Sequence, residues 1–258
     1  MTEEIKQSGT VKSADRVLDI IELLASEQEP MNLTEISRAL AMPTSSIYKI
    51  IKNLLARGYL ESDEQEKQFR LGYKILEVGT KYTQNTNLVN EFQYVSQRIV
   101  SEINEAVYLS IRNGKNVLYI AEKQSLQPIR FVSHLGMQLP MHATAMGKML
   151  LSQLSDAEIE QLYPEEELGT LTENTIHERS SLIKEVSQIR EEKLAYSRSE
   201  SVQGVHCIAV GIKNSKGQIV AAMSISIPQS RVTDSLWDKV KELLTQAAKE
   251  LSYKIYFQ

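Results

Sequence analysis

A run of apolar residues at helical spacing between Pro43 and Arg57 constrains the chain more than any other feature. Its apolar members recur every three or four positions: Ile47, Ile50, Ile51, Leu54 and Leu55. Side chains at this spacing share one face of an α-helix. The other face carries Ser45, Ser46, Tyr48, Lys49, Lys52 and Asn53, and segment 43–57 contains no carboxylate. The sequence therefore predicts a helix that buries one side and presents hydrogen-bond donors and positive charge on the other.

The residues before this helix predict a shorter helix and a tight turn. Asn32 and Glu35 have the spacing of a capping box, which predicts a helix from about Leu33 to Ala41. Pro43 is well suited to the start of the next helix, because a first-turn N–H has no helical partner. Residues 17–24 supply apolar positions for a third helix upstream. Together these segments predict a helix-turn-helix, whose second helix enters the DNA major groove.

The residues after this helix predict a small β-hairpin, or wing. Gly58 is a typical helix stop. The runs 59–62 and 67–71 alternate in polarity as paired strands do. The acids at the tip, Asp63, Glu64 and Glu66, would be repelled by phosphates, so we expect weak or absent DNA contact there. The candidate DNA-binding residues are Arg16, Thr44, Ser45, Ser46, Tyr48, Lys49, Lys52 and Arg70. The alternative is a helical module with a solvated basic face that binds no DNA.

Length, charge and cysteine content narrow the class of protein. The 258 residues are 42% hydrophobic, which is enough for one large or two ordinary cores, and the net charge is −4. The only cysteine, Cys207, cannot form an intramolecular disulfide. No apolar run approaches the roughly 20 residues that cross a bilayer, and the polar start MTEEIKQSGT does not resemble a signal peptide. We therefore expect a cytoplasmic protein without membrane contact.

The rest of the chain predicts a helical connector and a second domain. Residues 73–85 and 88–103 have apolar residues at helical spacing. We expect a DNA-binding domain over residues 1–72, a linker helix over 73–87 and a second domain over 88–258.

The sequence of the second domain predicts strands and helices that form one mainly antiparallel sheet with helices packed on it. Asn113-Gly114 between two β-rich runs predicts a hairpin of strands 106–112 and 115–122. We also expect a strand at 129–133 and a helix from about Ala145, and later two strands, 207–213 and 218–227, joined by a turn at Lys216-Gly217. Further helices are predicted at 156–163, 180–193 and 233–253. The fold class is therefore α+β.

Four segments of the chain together resemble the IclR family of bacterial transcriptional regulators. They are KSADRVLDIIELL, NLTEISRALAMPTSSIYKIIKNLLARGYLE, LPMHATAMGKMLL and GVHCIAVGIKNSKGQIVAAMSISIPQSR. The resemblance covers residues 11–251. It implies a winged helix-turn-helix, a linker helix used in dimerisation and a GAF-like domain that binds a small effector, often an organic or aromatic acid. It also implies a homodimer or homotetramer on double-stranded DNA with a palindromic or repeated operator, without a cofactor.

The resemblance also carries effector-binding positions onto this chain. They are Phe131, Leu139, Ala145, Met146, Ser197, Val205, Cys207, Ser224 and Ser226. Backbone N–H groups at Ala145 and Met146 and the two serine hydroxyls at 224 and 226 suit a carboxylate, with apolar side chains around the remainder. Two positions depart from the family pattern. Ser197 stands where some members have an acid, and Met146 is bulkier than the residue found in others. In the helix-turn-helix, Ala41 occupies a turn position that is often glycine.

Other function classes find less support in the sequence. A cysteine hydrolase would need a histidine to activate Cys207, but the adjacent His206 points to the other face of a strand. The histidines and Cys207 have no recurrent metal-ligand spacing, so we expect neither a catalytic residue nor a metal site. The remaining alternative is a small-ligand sensor that acts through protein contacts instead of DNA.

Overall fold

The computed structural model describes residues 11–63, 65, 67–84 and 87–256. Two acids of the predicted wing tip, Glu64 and Glu66, lie outside these residues. The chain divides into two compact units, residues 1–82 and 83–258. This division falls inside the predicted linker segment 73–87.

The first unit is a helix-turn-helix with a wing. Its helices are α1 (Lys12–Ser26), α2 (Leu33–Ala39), α3 (Thr44–Ala56) and all but the last two residues of α4 (Tyr73–Gln84). Its strands are β1 (Met31–Asn32), β2 (Leu60–Ser62) and β3 (Gln68–Leu71), which form an antiparallel sheet in the order β1-β3-β2. The predicted wing is confirmed, and the short strand β1 adds a third member to it.

Burial of the apolar face of α3 holds the first unit together. Ile47 and Ile51 are completely buried and pack with Ile20 of α1, Ile36 of α2 and Phe69 of β3. The predicted capping box forms: the Asn32 side chain accepts from the Glu35 N–H at 3.0 Å, and the Glu35 carboxylate accepts from the Asn32 N–H at 2.7 Å. Helix α2 ends at Ala39, two residues before the predicted end, because Ala41 turns the chain with a φ of +50°.

The second unit is built on a six-stranded antiparallel sheet. Its strands are β4 (Ala106–Asn113), β5 (Asn116–Lys123), β6 (Gln138–Pro140), β7 (Ala195–Arg198), β8 (Val205–Lys213) and β9 (Ile219–Pro228), in the order β6-β5-β4-β9-β8-β7. Its helices are α5 (Asn87–Ile103), α6 (Ala145–Leu151), α7 (Asp156–Leu162), α8 (Arg179–Glu192) and α9 (Asp234–Tyr256). The expected α+β fold with a mainly antiparallel sheet is confirmed.

Each face of this sheet has its own apolar core. Helices α6, α7 and α8 cover one face, where Tyr108 and Leu182 are completely buried. Helices α5 and α9 cover the other face, where Phe92 and Leu244 are completely buried. Alternate residues of one strand therefore enter different cores, as the two-residue period of a strand requires.

The predicted strand at 129–133 does not form. The carbonyl of Ile129 accepts from Arg231 Nη1 at 2.9 Å, and the carbonyl of Phe131 accepts from Tyr108 Oη at 2.5 Å. Side chains thus donate the hydrogen bonds that these carbonyls would otherwise accept from a neighbouring strand. The short edge strand β6 forms later in the chain, at Gln138–Pro140.

Among the helices of the described residues, none combines the length and the apolar character that crossing a membrane requires.

Candidate functional sites

The outward face of α3 is the candidate DNA-binding surface. Ser45, Lys49, Lys52 and Asn53 are exposed on it. Tyr48 is 47% exposed, and Lys52 Nζ lies 5.7 Å from the centre of its ring. This cation–π contact holds the Lys52 ammonium along the helix surface. The same helix buries Ile47, Ile51 and Leu54 on its other side, so this polar face points away from the core.

Thr44 and Ser46 have more restricted surroundings at the start of α3. Thr44 Oγ1 lies 3.2 Å from Ser37 Oγ, and Ser37 donates to the Met42 carbonyl at 2.6 Å. These contacts tie the turn between α2 and α3 to the first residue of α3. Ser46 is half-buried. Thr44 is exposed and remains accessible from solvent.

Arg16 and Arg70 lie outside α3. Arg16 is exposed on α1. Arg70 on β3 forms an ion pair with Glu61 on β2, with Nη2 3.1 Å from Oε2. The Glu61 carboxylate also accepts from the Tyr73 N–H at 3.3 Å. The Arg70 guanidinium is therefore already engaged by a carboxylate within the wing.

Asp63 has a structural role at the wing turn. Its Oδ1 accepts from the backbone N–H of Lys67 at 2.7 Å and of Gln68 at 3.2 Å. A short acidic side chain that bonds nearby backbone N–H groups favours a turn. This explains an acid at a position where DNA binding alone would disfavour one.

A small cavity lies between the sheet and the start of α6 in the second unit. Its volume is about 10 Å³, which is the space of a single water molecule. Seven of the nine predicted effector-binding residues line it: Phe131, Ala145, Met146, Val205, Cys207, Ser224 and Ser226. Four further lining residues were not predicted from the sequence: Tyr119, Thr144, Ser201 and Val202.

The sheet wall of this cavity is polar. Cys207 on β8 is paired with Ser226 on β9, and their Sγ and Oγ atoms are 3.2 Å apart. Ser224 lies two residues along β9, between Tyr108 of β4 and Ala209 of β8. Burial raises the pKa of the Cys207 thiol to about 11. The thiol is therefore neutral at physiological pH, which disfavours a nucleophilic role.

The two other predicted effector-binding residues do not line the cavity. Leu139 lies on the edge strand β6 opposite Val117 and packs against the core. Ser197 on β7 is paired with Cys207, one strand beyond the lining. Ser197 is 1% exposed, and its Oγ has no hydrogen-bond partner among the described residues. The Ser197 hydroxyl is thus buried on the strand next to the cavity lining.

Close backbone packing fixes the start of α6. A Cβ on Gly147 would lie 2.3 Å from Met141 Cα, so only glycine fits there. Thr144 Oγ1 accepts from the Gly147 N–H at 3.0 Å and caps the helix. The first-turn N–H groups of Ala145 and Met146 are thereby held beside the cavity.

A loop over residues 199–204 supplies Ser201 and Val202 to the lining. Thr172 Oγ1 donates to the Ser199 carbonyl at 2.6 Å, and Thr175 Oγ1 donates to the Glu200 carbonyl at 2.6 Å. Side chains from a separate segment therefore fix the position of this loop over the cavity.

Lys148 of α6 forms an ion pair with Glu200 of the same loop. Its side chain is completely buried, and its Nζ lies 2.7 Å from Glu200 Oε2 and 3.2 Å from Glu185 Oε1 on α8. The sequence did not predict a role for these three residues. A single lysine within the otherwise apolar Ala-Met-Gly-Lys-Met-Leu-Leu helix was the signal that could have found them.

The histidines do not assemble a catalytic or metal site. His206 neighbours Cys207 in sequence, but its ring lies 6.2 Å from the Trp237 ring of α9, on the other side of the sheet. His142 Nε2 lies 2.7 Å from the Gly169 carbonyl. No group of three His, Cys, Asp or Glu residues in the described chain is placed to hold a metal ion.

Comparison with known proteins identifies both units. Residues 13–64 match the family model of the IclR helix-turn-helix domain, and residues 80–253 match that of the bacterial transcriptional regulator IclR C-terminal region. The chain is 29% identical over 242 residues to the HTH-type transcriptional regulator XynR of Escherichia coli K12, which covers 94% of this chain and 96% of XynR. It is 30% identical over 250 residues to the HTH-type transcriptional repressor AllR of Salmonella paratyphi A, with 97% and 92% covered.

Solved structures match the fold over nearly the whole chain. The Thermotoga maritima IclR structure has a TM-score of 0.78 at 26% identity and covers 95% of this chain and 98% of that one. An IclR homologue from Microbacterium hydrocarbonoxydans, solved as a complex with 4-hydroxybenzoate, has a TM-score of 0.84 at 19% identity, with 94% and 98% covered. The matched family and the named relatives are DNA-binding transcriptional regulators, not enzymes. The chain belongs to the IclR family of bacterial transcriptional regulators.

Proposed function

We propose that this regulator reads a specific operator with α3 and changes its operator affinity when a small organic acid occupies the cavity beside α6. The observation that carries the DNA part is the outward face of α3. It presents Lys49, Lys52 and the exposed Tyr48, and the helix contains no carboxylate to repel phosphates. Hydroxyl and amide groups on the same face suit base edges in the major groove.

The cavity lining supports an acidic effector with an apolar or aromatic body. The hydroxyls of Ser224 and Ser226 and the first-turn N–H groups of α6 can donate to a carboxylate. Tyr119 and Phe131 offer aromatic surface for the rest of the molecule. The relative from Microbacterium hydrocarbonoxydans was solved with 4-hydroxybenzoate, an aromatic acid of this type.

Effector binding requires the cavity to expand. A volume of about 10 Å³ accommodates no organic acid, so the covering loop at 199–204 must shift. Ser197 lies in the same cross-sheet row as Cys207 and Ser226, and within the described parts of the chain its hydroxyl has no hydrogen-bond partner. Expansion toward β7 would give the effector a further hydrogen bond from Ser197. Leu139 would act indirectly, through its packing against the cavity wall.

Operator affinity would change through a dimer or tetramer that places two α3 helices on a palindromic or repeated operator. Half-sites read by such helices are spaced by about one turn of DNA or a multiple of it. The effector shifts affinity only by the difference in its binding to the two arrangements, typically about 1–3 kcal/mol. The linker segment 73–87 would transmit the change.

The test is a fluorescence anisotropy titration of labelled DNA fragments from around the gene of this protein with the full chain, which measures DNA affinity at several salt concentrations. We expect sequence-specific binding with a steep salt dependence. Lys49→Ala with Lys52→Ala should weaken binding to all DNA, whereas Lys184→Ala on α8 should not. Addition of 4-hydroxybenzoate or related acids should change the operator affinity. Effector binding without any DNA binding would instead favour a sensor that acts through protein contacts.

A further inference from the structure

A second, larger cleft lies at the opposite end of α6 from the effector cavity. Its volume is about 770 Å³, within the range of roughly 300–1,000 Å³ that ligand pockets occupy. Met146 lines the effector cavity, and Ser152, just after α6, lines the cleft. Met149 of α6 also lines the cleft, three residues from Met146, but the two spaces share no lining residue.

The cleft exists because β7 is shorter than β8. Ala195, the first residue of β7, is paired with Ala209, so residues 210–213 of β8 continue without a neighbouring strand on that side. The cleft runs along this unpaired edge and is lined by Val210, which belongs to one core, and by Gly211, whose neighbour Ile219 packs against the other core. It therefore combines a strand edge with apolar floor residues from both cores.

Side-chain bonds hold the walls of the cleft in place. Ser252 Oγ of α9 accepts from the Lys213 N–H at 2.9 Å. Gln153 accepts from the Ile219 N–H at the start of β9. Arg190 of α8 donates to the Leu154 carbonyl at 2.6 Å and pairs with Asp156 at 2.7 Å. The α6, α8 and α9 walls are thus pre-formed.

The charges around the cleft are strongly biased. One acid, Glu192, lines it together with five cations: Arg190, Lys193, Lys213, Lys216 and Lys249. The Arg190 charge is neutralised by Asp156, and the Lys193 ammonium donates to the Arg190 carbonyl. Within the described residues, no ion pair involves Lys213, Lys216 or Lys249. Three exposed ammonium groups therefore surround an apolar floor that includes Ile189, Leu194 and Ile219.

We propose that this cleft binds an organic anion with an apolar body, such as a medium-chain carboxylate or alkyl phosphate, at a site separate from the effector cavity. The hydrocarbon chain would lie on the apolar floor, where burial releases water from both surfaces. The anionic head would lie among the ammonium groups of Lys213, Lys216 and Lys249, which attract either a carboxylate or a phosphate.

The test is isothermal titration calorimetry of the full chain with decanoate, decyl phosphate, decanol and decyltrimethylammonium below their micelle concentrations. We expect the two anions to bind, with affinity that falls as salt rises. Comparison of the two anions shows which head group is preferred. Equal binding of decanol or of the cation would overturn the proposal, because the lysines would then have no role in selection.

Variants locate the binding site. Lys213→Gln with Lys249→Gln should weaken decanoate binding by about tenfold or more, since two charge-assisted contacts are lost. Ala248→Trp should block the floor and abolish binding. The control Lys184→Gln, on the exposed face of α8, should have no effect. Ser224→Ala with Ser226→Ala should also leave decanoate binding unchanged. Loss of binding in that cavity variant, or unchanged binding in the two cleft variants, would overturn the proposal.

Discussion

Lys148 and Glu200 form a buried ion pair that joins α6 to the loop covering the effector cavity. Lys148 Nζ lies 2.7 Å from Oε2 and 3.0 Å from Oε1 of Glu200, and the two residues are 0% and 8% exposed. Glu200 Oε1 also accepts from the Arg198 N–H at 3.1 Å. A buried pair is stable only when its charges are fully bonded, so movement of this loop must break or carry along several contacts.

Opening of the covering loop can be measured by the labelling of Cys207 with a thiol reagent. Cys207 is the only cysteine of the chain and lines the cavity beneath the loop. Glu200→Gln should raise the rate of Cys207 labelling by a thiol reagent by about tenfold or more, because breaking a buried pair costs several kcal/mol. The control is Val240→Ala on α9, which lowers global stability from the other side of the sheet. Equal labelling rates in variants of equal stability would contradict a specific role of the pair.

The buried thiol of Cys207 should make stability depend on pH in the alkaline range. Burial raises its pKa from the ordinary 9.0 to about 11 in the folded chain. Between these values the unfolded chain loses the proton and the folded chain keeps it. The free energy of unfolding should therefore fall by about 2–3 kcal/mol from pH 9 to 11 through this group. Urea unfolding of the wild type and of Cys207→Ala measures the difference, and parallel declines would contradict the prediction.

Ala41 should be a site where glycine stabilises the first unit. Its φ of +50° lies in the left-handed region, which costs an L-residue about 1–2 kcal/mol. The greater freedom of glycine in the unfolded chain offsets part of that gain. Ala41→Gly should therefore stabilise by about 0.5–1 kcal/mol, visible by calorimetry as a higher Tm. The control Ala39→Gly, at the end of α2, should lower the Tm, and a similar loss at position 41 would refute the argument.

Glu61 should restrain DNA binding by the wing, because its carboxylate engages Arg70. Glu61→Gln keeps an acceptor for the Tyr73 N–H and releases the guanidinium. DNA affinity at low salt should rise by about two- to tenfold, with a steeper salt dependence. Glu22→Gln, which removes an exposed acid on α1, controls for net charge. If both variants raise the affinity equally, Arg70 has no specific contact with DNA.

The serines of the cavity wall should separate effector response from DNA binding. Ser224→Ala with Ser226→Ala removes two hydroxyls from the lining and leaves the first unit unchanged. Operator affinity without effector should be unaltered, whereas the response to 4-hydroxybenzoate or another active acid should be lost. Anisotropy titrations with and without the acid measure both quantities. A full response in this variant would remove the two serines from the proposed site.

Local sequence patterns were sufficient to predict most elements of the fold. The three-to-four-residue spacing around Ile47 and Ile51 predicted α3, and the Asn32 and Glu35 pair predicted the start of α2, because both depend on neighbours along the chain. The strand predicted at 129–133 was wrong because the conformation of this segment depends on residues far away in the chain. Its apolar residues look like a strand, but distant side chains such as Arg231 and Tyr108 bond its carbonyls.

The sequence by itself determined the periodic elements and the amphipathic face of α3, since each is encoded within a few consecutive residues. Only the tertiary structure decided that Lys148 reaches Glu200, that Arg70 is held by Glu61 and that Ser197 lies one strand behind the cavity lining. These relationships depend on strand register and helix packing between segments far apart in the chain. No local pattern encodes the distance between two such side chains.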